Sequence, residues 1–286
     1  MNKLPVGKTV LGAYGFTFAH LGTIIGLIWA PLVASTLLSI LPEIATNSGP
    51  ADSVATGTVA IESLAVSLLT LLFTAIIYVG VTRQVLGLRQ GPATFYFVLG
   101  QPEFRVFGAR LLVVYVPALV YVACLLAAAT IASAQGGAGP MAVVVLLLVF
   151  VGGPWIVYLI VRLSFLVTPV TVCENRIDIA RGWALTRGNF WRIIAVLLAV
   201  GAPIFLLEFV GAWVLMGADL AAAVPVNGSH DPQAMQQYFA AVMGIIQRHT
   251  PALTGLGLIL APFSLGLSLS ASALSYRELT ASPPAA

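Results

Sequence analysis

The sequence is short of charged residues, and this shortage excludes an ordinary soluble protein. Charged residues make up 8% of the chain, whereas soluble proteins carry about a quarter. Hydrophobic residues make up 59%, and the mean hydropathy is +1.01. A chain of this composition has too few polar side chains to cover its surface in water. Lipid must therefore be its main solvent.

Motifs for catalysis, metal binding and phosphate binding are also missing. The two cysteines, Cys124 and Cys173, form no CxxC pair and have no histidine at the spacing of a metal site. The chain contains no HExxH, GxxxxGK(S/T) or GxGxxG pattern. It also has no basic stripe with interleaved aromatic residues, which is typical of nucleic-acid binding. We therefore expect no enzyme activity, no cofactor and no nucleic-acid partner.

Six long apolar runs are present instead, separated by polar or glycine- and proline-rich connectors. A helix that crosses the hydrocarbon core of a bilayer needs about 20 apolar residues. The predicted spans are 19–41, 60–83, 110–134, 141–163, 191–217 and 252–275. They predict an all-α integral membrane protein with six transmembrane helices, and we take residues 1–286 as a single membrane domain.

The positions of the basic residues indicate the orientation of this domain. Of the 13 Lys and Arg residues, all except Arg248 lie near the N-terminus, in or beside connectors 84–109 and 164–190, or after the sixth span. Positive charges collect on the cytoplasmic side of membrane proteins. Both ends are therefore predicted to be cytoplasmic, in a bacterial plasma (inner) membrane. The basic connectors are predicted to contact anionic lipid headgroups.

A regular spacing of prolines suggests an internal repeat. Pro31, Pro117 and Pro203 lie 86 residues apart (117 − 31 and 203 − 117), each in an odd-numbered span. The same offset separates three phenylalanines, each preceded by a short segment of mixed polarity at 7–17, 93–103 and 177–189: Phe18, Phe104 and Phe190. The spacing is consistent with three tandem units, 7–92, 93–178 and 179–277, each a cytoplasmic interfacial helix followed by a helical hairpin. Chance, together with the tolerance of proline in membrane helices, explains it equally well.

A further amphipathic segment is predicted before the sixth span. Asp231 suits a helix N-cap, and Pro232 suits the first helical position. Apolar residues then recur at helical spacing from Met235 to Ile246. We predict an extra amphipathic helix at about 232–248 on the outer surface, either a structural cap or a lid over a cavity.

Glu208 is the outstanding ionisable residue within a predicted span. It lies 16 residues after Arg192, about 24 Å along the helix, which places it in the outer part of the membrane rather than at its centre. A carboxylate there often marks an ion or proton path, although a hydrogen bond to a neighbouring Ser or Thr is the simpler explanation. Pro203 has no backbone N–H, so it leaves the carbonyl of Ala199 without its helical hydrogen bond. Glu62 begins the second span from the same side, so the two carboxylates could share a vestibule.

The connector after the fourth span carries a family resemblance. Its distinctive residues are Arg162, Pro169, Glu174, Ala180, Trp183, Leu185, Thr186, Gly188, Phe190, Trp191 and Arg192. With the later Tyr276-Arg277-Glu278-Leu279, this pattern resembles bacterial six-span membrane proteins related to the membrane domain of glycerophosphodiester phosphodiesterases. We take Arg162, Trp183 and Arg192 as candidate functional positions. The catalytic barrel of those enzymes has no counterpart in this sequence, so no catalytic residue carries over.

Three kinds of function remain open. The sparse charge within the spans favours a non-catalytic accessory, scaffold or assembly component with a membrane-protein partner. The alternative is a transporter or channel for a small or lipid-like substrate, which five proline-containing spans and an outer lid would suit. An enzyme acting on lipids would need clustered His, Asp or Glu at one membrane level, and the sequence predicts no such cluster.

Overall fold

The chain folds into three helical hairpins, each preceded by a short helix. The computed structural model describes residues 3–47, 56–89, 96–134, 140–223 and 232–281, with side chains described outside 39–47, 56–62, 140–142 and 232–235. The helices are α1 (Val6–Ala19), α2 (Leu21–Asn47), α3 (Thr56–Val85), α4 (Gln101–Arg110), α5 (Val116–Ala134), α6 (Pro140–Leu147), α7 (Gly153–Glu174), α8 (Ile179–Thr186), α9 (Phe190–Ala223) and α10 (Pro232–Thr280). Two π-helical turns, Leu111–Tyr115 and Leu148–Gly152, connect α4 to α5 and α6 to α7 without a break.

Six helical segments in the described residues are long and apolar enough to cross a membrane, which confirms the predicted all-α membrane fold. They are Leu21–Leu38, Ser63–Val85, Gln101–Ala134, Val143–Glu174, Phe190–Ala223 and Gln236–Thr280. Helices α2 and α3 form the first hairpin, α5 and α6–α7 the second, and α9 and α10 the third. The last four segments are longer than the predicted spans, because their helices continue into the connectors.

The packed core lies at one end of the molecule. There α1 packs against α9 and α10, α4 against α3 and α7, and α8 against α7. Buried side chains concentrate in the nearest parts of the long helices: 71–85, 162–172, 193–204 and 267–279. We call this the basic end, since the short helices and their connectors carry most of the basic residues. Apolar side chains in the opposite halves are largely exposed, as lipid-facing surfaces are.

The second unit differs from the predicted pattern. The segment 93–103 is predicted to be an interfacial helix, but residues 96–100 are not helical and α4 begins at Gln101. Pro102 suits the first helical turn, and the carboxylate of Glu103 accepts a hydrogen bond from the Gly100 N–H at 3.0 Å. No proline follows until Pro117, so α4 continues through a π-helical turn into the third span. The order of short helix and hairpin occurs three times, while the 86-residue sequence repeat stays a prediction.

The amphipathic segment at 232–248 is helical from Pro232, as predicted, but it is not a separate helix. It forms the first part of α10, which is 49 residues long, about 73 Å. Because the hydrocarbon core is only about 30 Å thick, α10 must tilt or extend beyond it. Helix α9, itself 34 residues long, packs along α10 and supports its continuation through Pro251. The proposed Asp231 cap lies outside the described residues.

Two prolines inside the spans leave carbonyl groups that hydroxyls from other helices satisfy. The carbonyl of Ala199, freed by Pro203, accepts a hydrogen bond from the Tyr14 hydroxyl at 3.1 Å. The carbonyl of Phe165, which Pro169 frees in the same way, accepts a hydrogen bond from Ser272 of α10. Such substitute donors are how membrane helices tolerate proline, and here they also join the helices to one another.

The two π-helical turns lie just before Pro117 and Pro154. In each turn a backbone N–H bonds to a carbonyl five residues back, Val116 to Leu111 and Gly153 to Leu148. The Tyr121 hydroxyl of the facing helix also donates to the Leu148 carbonyl at 2.8 Å. The wider turn is a known adjustment to a missing donor, and it keeps both spans helical.

Candidate functional site

Arg162 lies where α7 meets α8 at the basic end. Its guanidinium carbon is 3.6 Å from the centre of the Trp183 ring and 5.7 Å from that of Tyr158. Its Nε donates to Thr186 Oγ1 at 3.3 Å, and its Nη1 donates to the Tyr158 hydroxyl. The arginine side chain is buried, with 9% of its surface exposed. Two of the predicted positions, Arg162 and Trp183, are therefore in direct cation–π contact.

Arg162 has no carboxylate within ion-pair distance among the described residues. The ion pairs found nearby join other groups: Lys8 with Glu278, Arg176 with Glu174 and Asp178, and Arg181 with Glu174. A guanidinium has five N–H donors, and the described hydrogen bonds use two of those in Arg162. The buried positive charge is thus surrounded by aromatic rings and hydroxyls, an arrangement that an anion would complete.

A shallow apolar groove lies along the turn Leu148–Gly152 and the start of α7, and it ends at Tyr158, one helical turn before Arg162. It has a volume of about 410 Å³ and is lined by Phe150, Val151, Pro154, Trp155 and Tyr158. Residues four apart in a helix are neighbours on its surface, so Tyr158 lies next to Arg162, and Pro154 lies next to Tyr158. The Trp155 and Tyr158 rings lie 5.5 Å apart, and Tyr158 contacts the Phe190 ring of α9 at 4.6 Å. Tyr158 therefore belongs both to the groove and to the surroundings of Arg162.

Arg192, the third predicted position in this region, has a structural contact. Its Nη1 donates to the Leu4 carbonyl at 2.9 Å, and the Leu4 N–H donates to Asn189 Oδ1 at 3.0 Å. The Leu4 side chain is completely buried. These two hydrogen bonds attach the N-terminal segment to the turn between α8 and α9 and to the start of α9. Arg192 therefore positions the N-terminal segment around Leu4.

The short helix α8 packs one side against α7 and leaves another side exposed. Ile177, just before the helix, and Trp183 remain exposed by 42% and 37%. Gly182 and Thr186 are buried instead, because that side packs against α7. The Asp178 side chain accepts a hydrogen bond from the Arg181 N–H at 2.8 Å and caps the helix. Trp183 is therefore held against Arg162 while part of its ring faces outward.

A buried carboxylate in α4 was not predicted. Glu103 is 1% exposed and accepts hydrogen bonds from the Tyr96 hydroxyl at 2.7 Å and from the Gly100 N–H at 3.0 Å. The Arg89 guanidinium lies 5.1 Å from the centre of the Tyr96 ring. Burial and the neighbouring Glu103 raise the pKa of Tyr96 to about 12. The available signal was the capping pattern Gly100-Gln101-Pro102-Glu103, which predicts a helix start with an inward-turned carboxylate.

Glu208 and Pro203 lie on the exposed flank of α9 and not in the bundle interior. Phe205, Leu207 and Phe209 around Glu208 are all more than half exposed. Among the described residues, no Ser or Thr hydroxyl donates to Glu208 and no cation pairs with it. The described contacts therefore do not include the predicted hydrogen bond from a neighbouring Ser or Thr. The Glu62 side chain lies outside the described residues, and the shared vestibule stays a prediction.

Arg248, the exception in the charge pattern, has an acidic neighbour. Asp219 Oδ2 in α9 lies 3.8 Å from Arg248 Nη1 and 2.9 Å from His249 Nε2. Asp219 therefore offsets the charge of Arg248 at the end of the third hairpin remote from the basic end. This cluster is not predictable from the sequence, because Asp219 and His249 are 30 residues apart.

Comparison of the chain with protein-family models, with curated proteins and with solved structures found no significant match. The resemblance to the membrane domain of glycerophosphodiester phosphodiesterases stays a prediction. In the part of the chain that the structure describes, no group of three or more His, Cys, Asp or Glu side chains could hold a metal ion. The fold defines a multi-pass α-helical membrane protein, and the two notable sites are the surroundings of Arg162 and the exposed Glu208.

Proposed function

We propose that the protein is a non-catalytic accessory or assembly component that binds another integral membrane protein through α9. The observation that carries this proposal is the exposure of Glu208 on an apolar surface. Phe205, Glu208 and Phe209 lie on one side of the helix, at spacings of three and four residues. The Phe205 and Phe209 rings stack with centres 6.5 Å apart, one on each side of the glutamate in sequence. We call these three residues the α9 face.

A lipid-facing glutamate is an unfavourable feature unless something covers it. Insertion scales assign about 3 kcal/mol to an acidic residue at the centre of a membrane helix, and such residues almost always face other helices or a water-filled cavity. Glu208 is about 24 Å along the helix from Arg192, in the outer part of the fifth span, so its cost is smaller than at the centre. A partner helix that presents Lys, Arg, Asn or Gln at the same depth would satisfy the carboxylate.

The shape of α9 below the glutamate also suits a second helix. Gly201 precedes Phe205 by one turn on the same side, and nothing lies within 4 Å of the position that a Cβ atom would occupy. Small residues let membrane helices approach closely. The α9 face therefore combines a close-approach point, two aromatic rings and a polar group, which supports a specific protein contact more strongly than contact with lipid alone.

Site-specific crosslinking in intact membranes tests this proposal. A photoreactive phenylalanine at position 205 should give one adduct of defined mass, and the Glu208→Leu variant should lose most of it. The same probe at position 126, which is also lipid-exposed on the second hairpin, serves as the matched control. The captured protein should then copurify with the wild type in constant ratio from gently solubilised membranes.

The outcome distinguishes three cases. An adduct that depends on Glu208 and contains a second protein supports the proposal. An adduct of twice the mass of the chain would show a homo-oligomer and contradict an accessory role. Identical crosslinking from positions 205 and 126, or crosslinking unchanged by Glu208→Leu, would remove the α9 face from any specific contact.

A transporter of a lipid-like substrate is the second candidate, and the groove along α7 favours it. The exposed positions of Glu208 and Pro203 argue against a pathway through the bundle that uses them. Flux in proteoliposomes that falls at least tenfold in Glu208→Gln or Pro203→Ala variants would support transport over the accessory role. For the location, we propose the bacterial plasma membrane with both termini in the cytoplasm, on the strength of the charge pattern.

A further inference from the structure

We propose that the basic end binds an anionic glycerophospholipid, with its phosphate at Arg162 and one acyl chain in the groove along α7. The groove is the set Phe150, Val151, Pro154, Trp155 and Tyr158, here called the α7 groove. This site is on a different helix from the α9 face and does not depend on the partner proposed there. The sequence predicts contacts between the basic connectors and anionic lipid headgroups. The present proposal assigns one such contact to Arg162 and the α7 groove.

The charge of Arg162 requires an anion. Burial of a cation without an anionic partner is unfavourable, and the described residues place no carboxylate within 4.0 Å of this guanidinium. The rings of Trp183 and Tyr158 offset part of this cost through cation–π contact. Three of the five N–H donors make no hydrogen bond among the described contacts. Arginine is the side chain best suited to binding phosphate through several such donors.

The hydroxyls around Arg162 also favour a phosphate. Thr186 accepts from Arg162 and donates to the Trp183 carbonyl at 3.0 Å, so its proton is already used. Tyr158 accepts from Arg162, and its own proton has no acceptor among the described contacts. A phosphate oxygen beside Arg162 would accept that proton. Arg187 follows Thr186 in the chain and is exposed, so a second positive charge lies on the same short segment and favours an anionic headgroup over a zwitterionic one.

The α7 groove has the polarity and length for an acyl chain. From Phe150 to Arg162 the helix rises about 18 Å, slightly more than the half-thickness of about 15 Å for a hydrocarbon core. The side chains that line it are apolar or aromatic, and Phe150, Val151 and Trp155 are each more than 60% exposed. A lipid whose phosphate lies at Arg162 would therefore extend one chain along the groove toward the membrane centre. Trp155 and Tyr158 lie at the end of the groove nearest Arg162, close to the membrane–water interface, where Trp and Tyr are enriched.

The test is thermal unfolding of the delipidated, full-length protein in a mild non-ionic detergent. Dioleoyl phosphatidylglycerol is added at increasing mole fraction, and dioleoyl phosphatidylcholine is added in a parallel series. A ligand at about 100 times its Kd should raise the Tm by about 5–10 °C for a protein of this size. We expect that rise with phosphatidylglycerol and less than a third of it with phosphatidylcholine.

Three variants locate the effect. Arg162→Gln should abolish the rise. Arg176→Gln should keep it, because Arg176 lies at the same basic end, after α7, with a side chain 66% exposed. Val151→Trp should reduce the rise by at least half, since it fills the groove from an exposed position and leaves the core unchanged. If Arg162→Gln does not fold, Val151→Trp decides between the outcomes.

Inorganic phosphate and glycerol 3-phosphate separate the headgroup from the chain. At equal concentration each should shift the Tm by less than a third of the phosphatidylglycerol value. An equal shift with inorganic phosphate would overturn the lipid assignment and leave an anion site. Equal shifts with the two phospholipids, an unchanged response of Arg162→Gln, or an unchanged response of Val151→Trp would each overturn the proposal.

Discussion

The hydroxyl of Tyr14 in α1 donates a hydrogen bond of 3.1 Å to the carbonyl of Ala199 in α9, the carbonyl that Pro203 leaves without a helical donor. The two residues are 185 positions apart in the chain. A helix at the basic end is thereby attached to the third hairpin at the turn where that hairpin lacks a backbone hydrogen bond. Ser272 and Phe165 repeat the same relationship beside Pro169.

Tyr14→Phe should destabilise the protein by about 1 kcal/mol, because the Ala199 carbonyl loses its donor. In a Pro203→Ala background the new backbone N–H reaches that carbonyl, so the same substitution should cost less than half as much. Thermal unfolding in detergent of the wild type, the two single variants and the double variant gives the coupling energy between Tyr14 and Pro203. Tyr115→Phe, at a residue that is 44% exposed, is the control. Equal costs of Tyr14→Phe in both backgrounds would contradict this role of the hydroxyl.

Trp183→Ala should destabilise the protein by about 1–2 kcal/mol, since Arg162 then loses the aromatic face that offsets its buried charge. Trp183→Phe should recover part of the loss, because it restores a smaller aromatic ring. The measurement is thermal unfolding of delipidated protein. Trp191→Ala is the matched control, for Trp191 is 78% exposed and does not contact the guanidinium among the described contacts. A larger loss from Trp191→Ala than from Trp183→Ala would exclude the cation–π contact as the cause.

Tyr96→Phe should lower stability at pH 8, because buried Glu103 loses one of its two donors. The advantage of the wild type should then shrink between about pH 10 and pH 12. The pKa of Tyr96 is raised from 10.0 to about 12 in the folded protein. The protonated Tyr96 hydroxyl therefore contributes its full stabilisation below pH 10. This contribution is lost as the pH rises through the pKa of Tyr96 in the folded protein.

Unfolding curves of wild type and Tyr96→Phe, recorded in steps from pH 8 to pH 12, measure this difference. The exposed Tyr115 again supplies the control, since Tyr115→Phe should leave the pH dependence of stability unchanged. A constant gap between wild type and Tyr96→Phe across the range would show that the phenol does not titrate differently in the folded state.

Cysteines at Leu88 and Arg181 should be labelled from one side of the membrane, and a cysteine at Gln237 from the other. The native Cys124 and Cys173 are exposed and must be replaced by alanine first. An impermeant maleimide applied to spheroplasts should label only position 237, and applied to inverted vesicles only positions 88 and 181. Labelling of positions 88 and 181 from opposite sides would overturn the six-span topology. Labelling of both from outside would reverse the orientation.

Fold class, the number of spans and the hairpins were predictable, since each depends on residues that are close together in the sequence. A run of about 20 apolar residues in lipid must form a helix to satisfy its backbone. The short helix at 7–17 was also predicted within a few residues, and it is found at Val6–Ala19. The helix that contains the predicted third span, 110–134, begins earlier, at Gln101, because capping by Glu103 and the π-helical turn let α4 and α5 join.

The candidate site was only partly predictable. Arg162 and Trp183 were singled out by sequence, but their contact depends on how α8 packs against α7. Arg192 was singled out as well, and its bond to the Leu4 carbonyl gives it a positioning role. Glu103 and Asp219 were missed, since a single acidic residue in the sequence carries no sign of which partners packing will bring to it.

The amino-acid sequence by itself determined the solvent of this protein, its helical class and its six crossings, because hydrophobicity and backbone hydrogen bonding act along the chain. Tertiary structure decided which hydroxyls satisfy the carbonyls that prolines free, that α10 continues through Pro251, and that Glu208 faces outward. Those outcomes depend on contacts between helices that are distant in sequence. The free energy of such contacts is gained only when the helices pack together.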